Sequence, residues 1–269
     1  MCFQCQGGWT TPNLNEFTVG ECKNLKSLPE GIHTLTALRV LQVDDLPNLE
    51  SFAEGGLPPN IQDLCTRSCE RLRASVVNYW RMEGLVSLKY FIIGGSILET
   101  LLKEHLLPTT PRYLIISACR SIQVLPGEGE GLQHLTSLQT LQIDECDNLQ
   151  FLPGEGLQHL TSLQELVISE CDSIQFLPEE GLPPSLSLLH IYNCSALEKR
   201  TAYLLFERFS YVRSFPEENL TLLISSSTTE EFIPITWFKG GDFPLPYLSG
   251  PSAASLPSSF NCMFAASSG

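Results

Sequence analysis

Gly131-Leu-Gln-His-Leu-Thr-Ser-Leu-Gln-Thr-Leu141 returns almost letter for letter as Gly156-Leu-Gln-His-Leu-Thr-Ser-Leu-Gln-Glu-Leu166. The same apolar ladder follows each copy: Leu141, Ile143, Cys146, Leu149 and Leu152-Pro153 after the first, and Leu166, Ile168, Cys171, Ile174 and Leu177-Pro178 after the second. In Leu141-Gln-Ile143 apolar and polar residues alternate, the period of a short strand that points one set of side chains inward and the other to solvent. The later apolar residues fill the turn behind that strand. Leu-Pro closes it, because proline fixes φ and discourages further regular structure.

One such unit cannot bury its own apolar face, so neighbours must stack. A fixed period with the spacing L-x-x-L-x-I-x-x-C-x-x-L-x-x-L-P marks a leucine-rich repeat. The expected architecture is an α/β repeat solenoid in which a parallel β-sheet, with strands about 4.8 Å apart, lines the concave side. Read outward from the two copies, the first strand residues are Phe17, Leu41, Leu64, Phe91, Leu114, Leu141, Leu166 and Leu189, which makes eight units. The second strand position reads Val19, Val43, Thr66, Ile93, Ile116, Ile143, Ile168 and Ile191, largely β-branched as strands prefer. The third unit is weak, with Thr66 and Leu72-Arg-Ala-Ser75; the fourth has a displaced ladder, Ile97 and Leu98 standing where one residue is expected.

The connections are of two kinds. Gly56-Leu-Pro-Pro59, Leu106-Leu-Pro-Thr-Thr-Pro111 and Gly181-Leu-Pro-Pro184 carry paired prolines, which favour extended chain. Gly31–Leu38, Gly84–Leu88 and the two Gly-Leu-Gln-His-Leu-Thr-Ser-Leu segments read instead as single helical or 3₁₀ turns. The convex side should be irregular and the helix content low.

Residues 1–13 precede the ladder as an irregular segment, 14–200 form the solenoid, and 201–269 leave the pattern. The last part contains Ile224-Ser-Ser-Ser-Thr-Thr-Glu-Glu231 and a Ser/Pro-rich run from Ser249 to Ser259, the composition of a largely disordered tail. Within it, 202–209 is dense enough in apolar residues to fold over the last repeat as a short helix. The N-terminal edge has no polar cap in its first residues, so the isolated chain is expected to self-associate there.

Sixteen Lys and Arg against thirty Asp and Glu argue against nucleic acid or an anionic membrane surface as partner, since both reward basic patches. No apolar run approaches a membrane span, and Met1–Trp9 shows no secretory signal. These features point to the cytoplasm, where the ten cysteines stay reduced. Cys22, Cys69, Cys119, Cys146, Cys171 and Cys194 all stand five residues after the first strand residue. A small side chain with a weak S–H donor suits a buried turn. Cys65 and Cys262 are off this ladder, and the Cys2-x-x-Cys5 pair has no partner set with zinc spacing.

No phosphate-binding loop, nucleophile elbow or H-E-x-x-H is present, so neither a catalytic residue nor a cofactor or metal site is expected. His33, His134 and His159 occupy equivalent connector positions, and Asp44, Asp45, Asp144, Glu145 and Glu170 follow strands at repeating offsets, as an acidic rim would. Solenoids bind through their concave side. The strand residues expected to face solvent there are Val40, Gln42, Asp44, Tyr90, Ile92, Tyr113, Ile115, Gln142, Asp144, Glu165, Val167, His190 and Tyr192.

The recurring L-x-x-L-x-I-x-x-C-x-x-L-x-x-L-P-E-G, the connectors Glu54-Gly-Gly-Leu-Pro-Pro59 and Glu180-Gly-Leu-Pro-Pro184, and the Leu-Thr-Ser-Leu segments resemble the leucine-rich-repeat region of plant nucleotide-binding disease-resistance proteins, within them the coiled-coil class. The resemblance covers about residues 14–200. Leu189-His-Ile-Tyr-Asn-Cys-Ser-Ala-Leu-Glu-Lys-Arg200 is similar to that family's last repeat, with Ser195 and Thr201 where a proline and a further cysteine are usual. It implies a protein-recognition module of an intracellular immune receptor whose partners are a pathogen effector or guarded host protein and, if the chain is a fragment, the receptor's nucleotide-binding module. The coiled-coil and nucleotide-binding parts are not in these residues, so no ATP switch is assigned. An alternative is the substrate-binding repeat domain of a ubiquitin-ligase adaptor, which an upstream F-box-like segment would mark. An extracellular ectodomain is the third reading: Asn193-Cys-Ser195 and Asn219-Leu-Thr221 are formal sequons, but neither a signal nor the L-x-G-x-I-P form accompanies them.

Overall fold

The ladder residues place every strand of the repeat. In a computed structural model, β1 (Glu16–Gly20), β2 (Val40–Asp44), β3 (Asp63–Arg67), β4 (Tyr90–Gly94), β5 (Tyr113–Ser117), β6 (Thr140–Asp144), β7 (Glu165–Ser169) and β8 (Leu188–Tyr192) pair each with the next, all parallel. Phe17, Leu41, Leu64, Phe91, Leu114, Leu141, Leu166 and Leu189 stand in one register column. The molecule is a leucine-rich-repeat solenoid with few helices. The structure describes residues 13–52, 55–72, 80–125, 131–178, 182–197, 219–225 and 232–238. The Cys2-x-x-Cys5 pair, the expected helix at 202–209, Cys262 and the other residues of the tail past 238 lie outside them.

The core runs along one face of this sheet. Seven members of the first column, from Leu41 to Leu189, are buried, while Phe17 in the terminal unit is partly covered. The second column is buried from Val43 to Ile191, including Thr66. Among the described residues the Thr66 hydroxyl has no hydrogen-bond partner. A buried hydroxyl left so costs about 1–3 kcal/mol, which agrees with the weak pattern of the third unit.

Every repeat strand except β4 ends on the same device. Glu21, Asp45, Ser68, Ala118, Glu145, Glu170 and Asn193, all four residues after the first ladder residue, have φ between 46° and 55°. This left-handed residue stops the strand and turns the next side chain into the core, although none of the seven is glycine. Its N–H is retained in the ladder: Ala118 donates to the Asp144 carbonyl at 3.0 Å and Glu145 to that of Ser169 at 3.1 Å.

The buried cysteine follows. The Cys171 Sγ donates to the Ser169 carbonyl at 3.1 Å and lies 3.7 Å from that of Ile143 one unit back; Cys146 repeats this with Asp144 at 3.2 Å and Ile116 at 3.9 Å. Cys69 does the same with Arg67 and Val43. Thiols therefore link successive units by weak bonds, and Cys22, Cys69, Cys119, Cys146, Cys171 and Cys194 are all buried.

On the outer side, 3₁₀ turns occupy Ile32–Thr34, Met82–Gly84 and Leu132–His134. The second copy of Gly-Leu-Gln-His forms a short α-helix, Gly154–Gln158, that begins at Pro153. The described parts of the proline connectors carry no regular element. The fourth unit departs from the others: where the sequence shows only a displaced ladder, β4 is followed by α1 (Gly95–Lys103). Its Ile97, Leu98, Leu101 and Leu102 are buried, the helical spacing of one covered face. The helix is tied down at Glu99, which accepts from Lys103 Nζ at 2.7 Å and from the Ser121 hydroxyl at 3.3 Å.

Beyond β8 the tail adds two strands, β9 (Asn219–Ser225) and β10 (Phe232–Phe238). β10 pairs parallel with β8 and antiparallel with β9, giving the sheet order β1-β2-β3-β4-β5-β6-β7-β8-β10-β9. Two stretches of a tail read as largely disordered thus continue the sheet.

Candidate functional site

The sheet face opposite the core carries three register columns. The first holds Glu16, Val40, Asp63, Tyr90, Tyr113, Thr140, Glu165 and Leu188; the second Thr18, Gln42, Cys65, Ile92, Ile115, Gln142, Val167 and His190; the third Gly20, Asp44, Arg67, Gly94, Ser117, Asp144, Ser169 and Tyr192. All the residues expected on the concave face are brought onto this one surface.

Their exposure differs from expectation. Val40, Gln42, Tyr90, Ile92, Val167 and His190 are buried, Tyr90 at 9% and His190 at 2% relative exposure, while Asp44, Tyr113, Ile115, Gln142, Asp144 and Glu165 are half-covered. The side chain of Tyr192 lies outside the described set. Parallel strands about 4.8 Å apart leave less lateral room than a large side chain needs, so neighbours along a column cover one another. Period-two alternation decides which face a residue takes, not how much water reaches it.

At the middle of this face the Tyr90 and Tyr113 rings stack, with centroids 4.3 Å apart and planes within 8°. Ile92 and Ile115 are the next column's members on the same two strands. Burial first, and then the adjoining Tyr90, push the Tyr113 hydroxyl up from its ordinary pKa. Polar contacts flank this apolar centre. On one side the Thr18 hydroxyl donates to Gln42 Oε1 at 3.3 Å, and Arg67 Nε lies 3.8 Å from Asp44. On the other the Thr140 hydroxyl donates to Glu165 at 3.2 Å, and the Ser169 hydroxyl to Asp144 Oδ1 at 2.6 Å.

Asp63, Asp144 and Glu165 are harder to ionise than usual. Burial pushes Asp63 up to about 6 against the opposing pull of Lys89, and Asp144 up to about 6 against the Ser169 hydroxyl. Glu165 is also raised by burial. His190 Nε2 lies 3.7 Å from Glu165 Oε1, yet burial holds its pKa down to about 4. At neutral pH the His190 imidazole is neutral, because burial removes the hydration that its charged form needs.

Asp63, Cys65, Arg67, Thr140 and Ser169 also belong to this face and were not named from the sequence. Their signal was available, since they occupy the same offsets from Leu64, Leu141 and Leu166 as the residues that were. Cys65 is buried and its thiol is pushed up to about 12, first by burial, so it is poorly nucleophilic. In the turn column, the Cys146 thiol beside it, with Cys194 and burial, drives Cys171 up as well. Among the described residues no group of three or more His, Cys, Asp and Glu could hold a metal ion, and no helix is long and apolar enough to cross a membrane.

Comparison with known proteins gives a partial likeness. No protein-family model matches the chain. Over 147 residues it is 30% identical to a protein of Arabidopsis thaliana named as a putative disease resistance protein, a match that covers 54% of this chain and 10% of that protein. The chain therefore corresponds to about a tenth of that relative's length.

Proposed function

We propose that this chain is a protein-recognition region of a plant intracellular disease-resistance receptor, taking up a pathogen effector or a guarded host protein on the outer face of its sheet and so contributing to defence. The observation that carries the reading is the stacked Tyr90–Tyr113 pair with Ile92 and Ile115 at the centre of that face, rimmed by Asp44, Asp63, Asp144 and Glu165. An aromatic centre inside a polar rim is the anatomy of a protein-binding hot spot. The likeness to the Arabidopsis disease-resistance protein and the repeat architecture support the same reading. On it the chain acts by binding rather than by catalysis, in the cytoplasm, alongside the nucleotide-binding module of a longer receptor.

The test uses a Tyr90→Ala/Tyr113→Ala variant. It should keep the circular dichroism of the parent and lose co-precipitation of the protein that the parent recovers from pathogen-challenged plant tissue. Undiminished recovery by a folded variant would remove this face from recognition.

A further inference from the structure

A second apolar feature lies away from the sheet face. Ten residues after the first ladder residue, immediately before the Leu of the Leu-Pro closure, stand Val124, Phe151 and Phe176 in three consecutive units. All are exposed, at 52%, 46% and 37%. Val124 and Phe151 face each other in a parallel bridge, and the Gln150 N–H donates to the Gln123 carbonyl at 2.8 Å. Val124 and Phe151 are therefore held at about strand spacing, and Phe176 continues the row at the same repeat offset. In the first two units the same position is Ser27 and Ser51, likewise bridged in parallel. Folding of the flank needs no apolar side chain there. In the fourth unit α1 interrupts the row, Leu101 being buried at that offset.

Charge gives the row its character. Residues 121–198 carry twelve carboxylates and no lysine or arginine. Within six residues of Phe151 or Phe176 along the chain, Glu145, Asp147, Glu155, Glu170 and Asp172 are exposed. Such a surface repels anionic partners and draws cationic ones. The repeat spacing, about 4.8 Å, lies close to the 5.4 Å pitch of an α-helix and well short of the roughly 6.6 Å between same-face residues of a strand. A helix laid along the row can set about one apolar side chain per turn between the exposed rings, with its flanking lysines or arginines over the carboxylates.

We propose that the Val124–Phe151–Phe176 row is a docking surface for a cationic amphipathic helix of a partner protein, separate from the tyrosine-centred face of the sheet. The full chain is titrated against a labelled Lys/Leu amphipathic peptide of about four helical turns, with Glu/Leu and Lys/Ser peptides as controls, by fluorescence anisotropy. The Lys/Leu peptide should bind, more weakly as salt rises, and Phe151→Ser/Phe176→Ser should lower its affinity about tenfold or more. Serine at this position is what the first two units already carry, so the variant should keep the parent circular dichroism. Asp147→Lys/Glu155→Lys, which leaves the row intact, should weaken binding too, and Tyr90→Ala/Tyr113→Ala should not. Equal binding by the serine variant, or equally tight binding of the Lys/Ser peptide, overturns the proposal. A dimer in sedimentation that disappears in the serine variant also overturns it and gives the row to a second copy of the chain.

Discussion

The two copied units and the fourth unit share a strand and differ in everything after it. In the copies, β6 and β7 end on Asp144 and Ser169; Glu145 or Glu170 then takes the left-handed conformation, and Cys146 or Cys171 enters the core. In the fourth unit β4 ends on Gly94, Gly95 opens α1, and Ile97, Leu98, Leu101 and Leu102 supply the apolar filling. The strand ladder is therefore independent of how the chain leaves it. Any ending is tolerated that stops the strand and returns apolar side chains to the same core. Charge separates the regions as well: residues 14–112 hold ten basic and twelve acidic side chains, whereas 121–198 hold no lysine or arginine.

The sharpest way to break the comparison is at the strand end. A Cβ on Gly94 would lie 2.7 Å from the Ser117 carbonyl oxygen, a backbone atom that cannot move without shifting β5. Gly94→Val should cost about 3 kcal/mol as an overpacked contact, whereas Ser169→Val, in the same register column at a position that already carries a side chain, should cost clearly less. Urea unfolding of the two variants decides it, and equal costs would mean that the fourth unit has no special constraint.

A smaller effect is expected from the thiol column. Cys171→Ala should lower stability by about 1 kcal/mol, through the lost buried group and its bonds to the Ser169 and Ile143 carbonyls. Cys146→Ala should match it. Both thiols should resist a labelling reagent under native conditions and react only on unfolding; prompt native labelling would contradict their burial.

The smallest effect sharpens the comparison at the left-handed residue. Ala118 holds φ at 53°, which a side chain disfavours. Glycine relieves that strain but adds freedom to the unfolded chain, so Ala118→Gly should raise stability by about 0.5 kcal/mol. A loss of stability measured by thermal unfolding would show that the conformation carries no strain.

Much of this was legible because it is periodic. Leu141, Ile143 and Cys146 repeat in Leu166, Ile168 and Cys171, and such a pattern fixes strand, register and turn in every unit it reaches, since each unit can bury its apolar face only against the next. The turns at Ile32–Thr34 and Leu132–His134 followed from the same reading. The rest depends on neighbours that the pattern does not contain. Glu145 and Glu170 adopt a conformation their side chains disfavour because strand pairing and the buried thiol hold them there. Tyr90 and His190 lose their water to residues more than twenty positions away. Ile97 and Leu98 form a helix because Ser121 and the packed core of adjoining units give that helix a place, and 219–225 and 232–238 become strands because β8 offers them an edge. Local spacing settles which face a side chain takes; only tertiary packing settles what covers it.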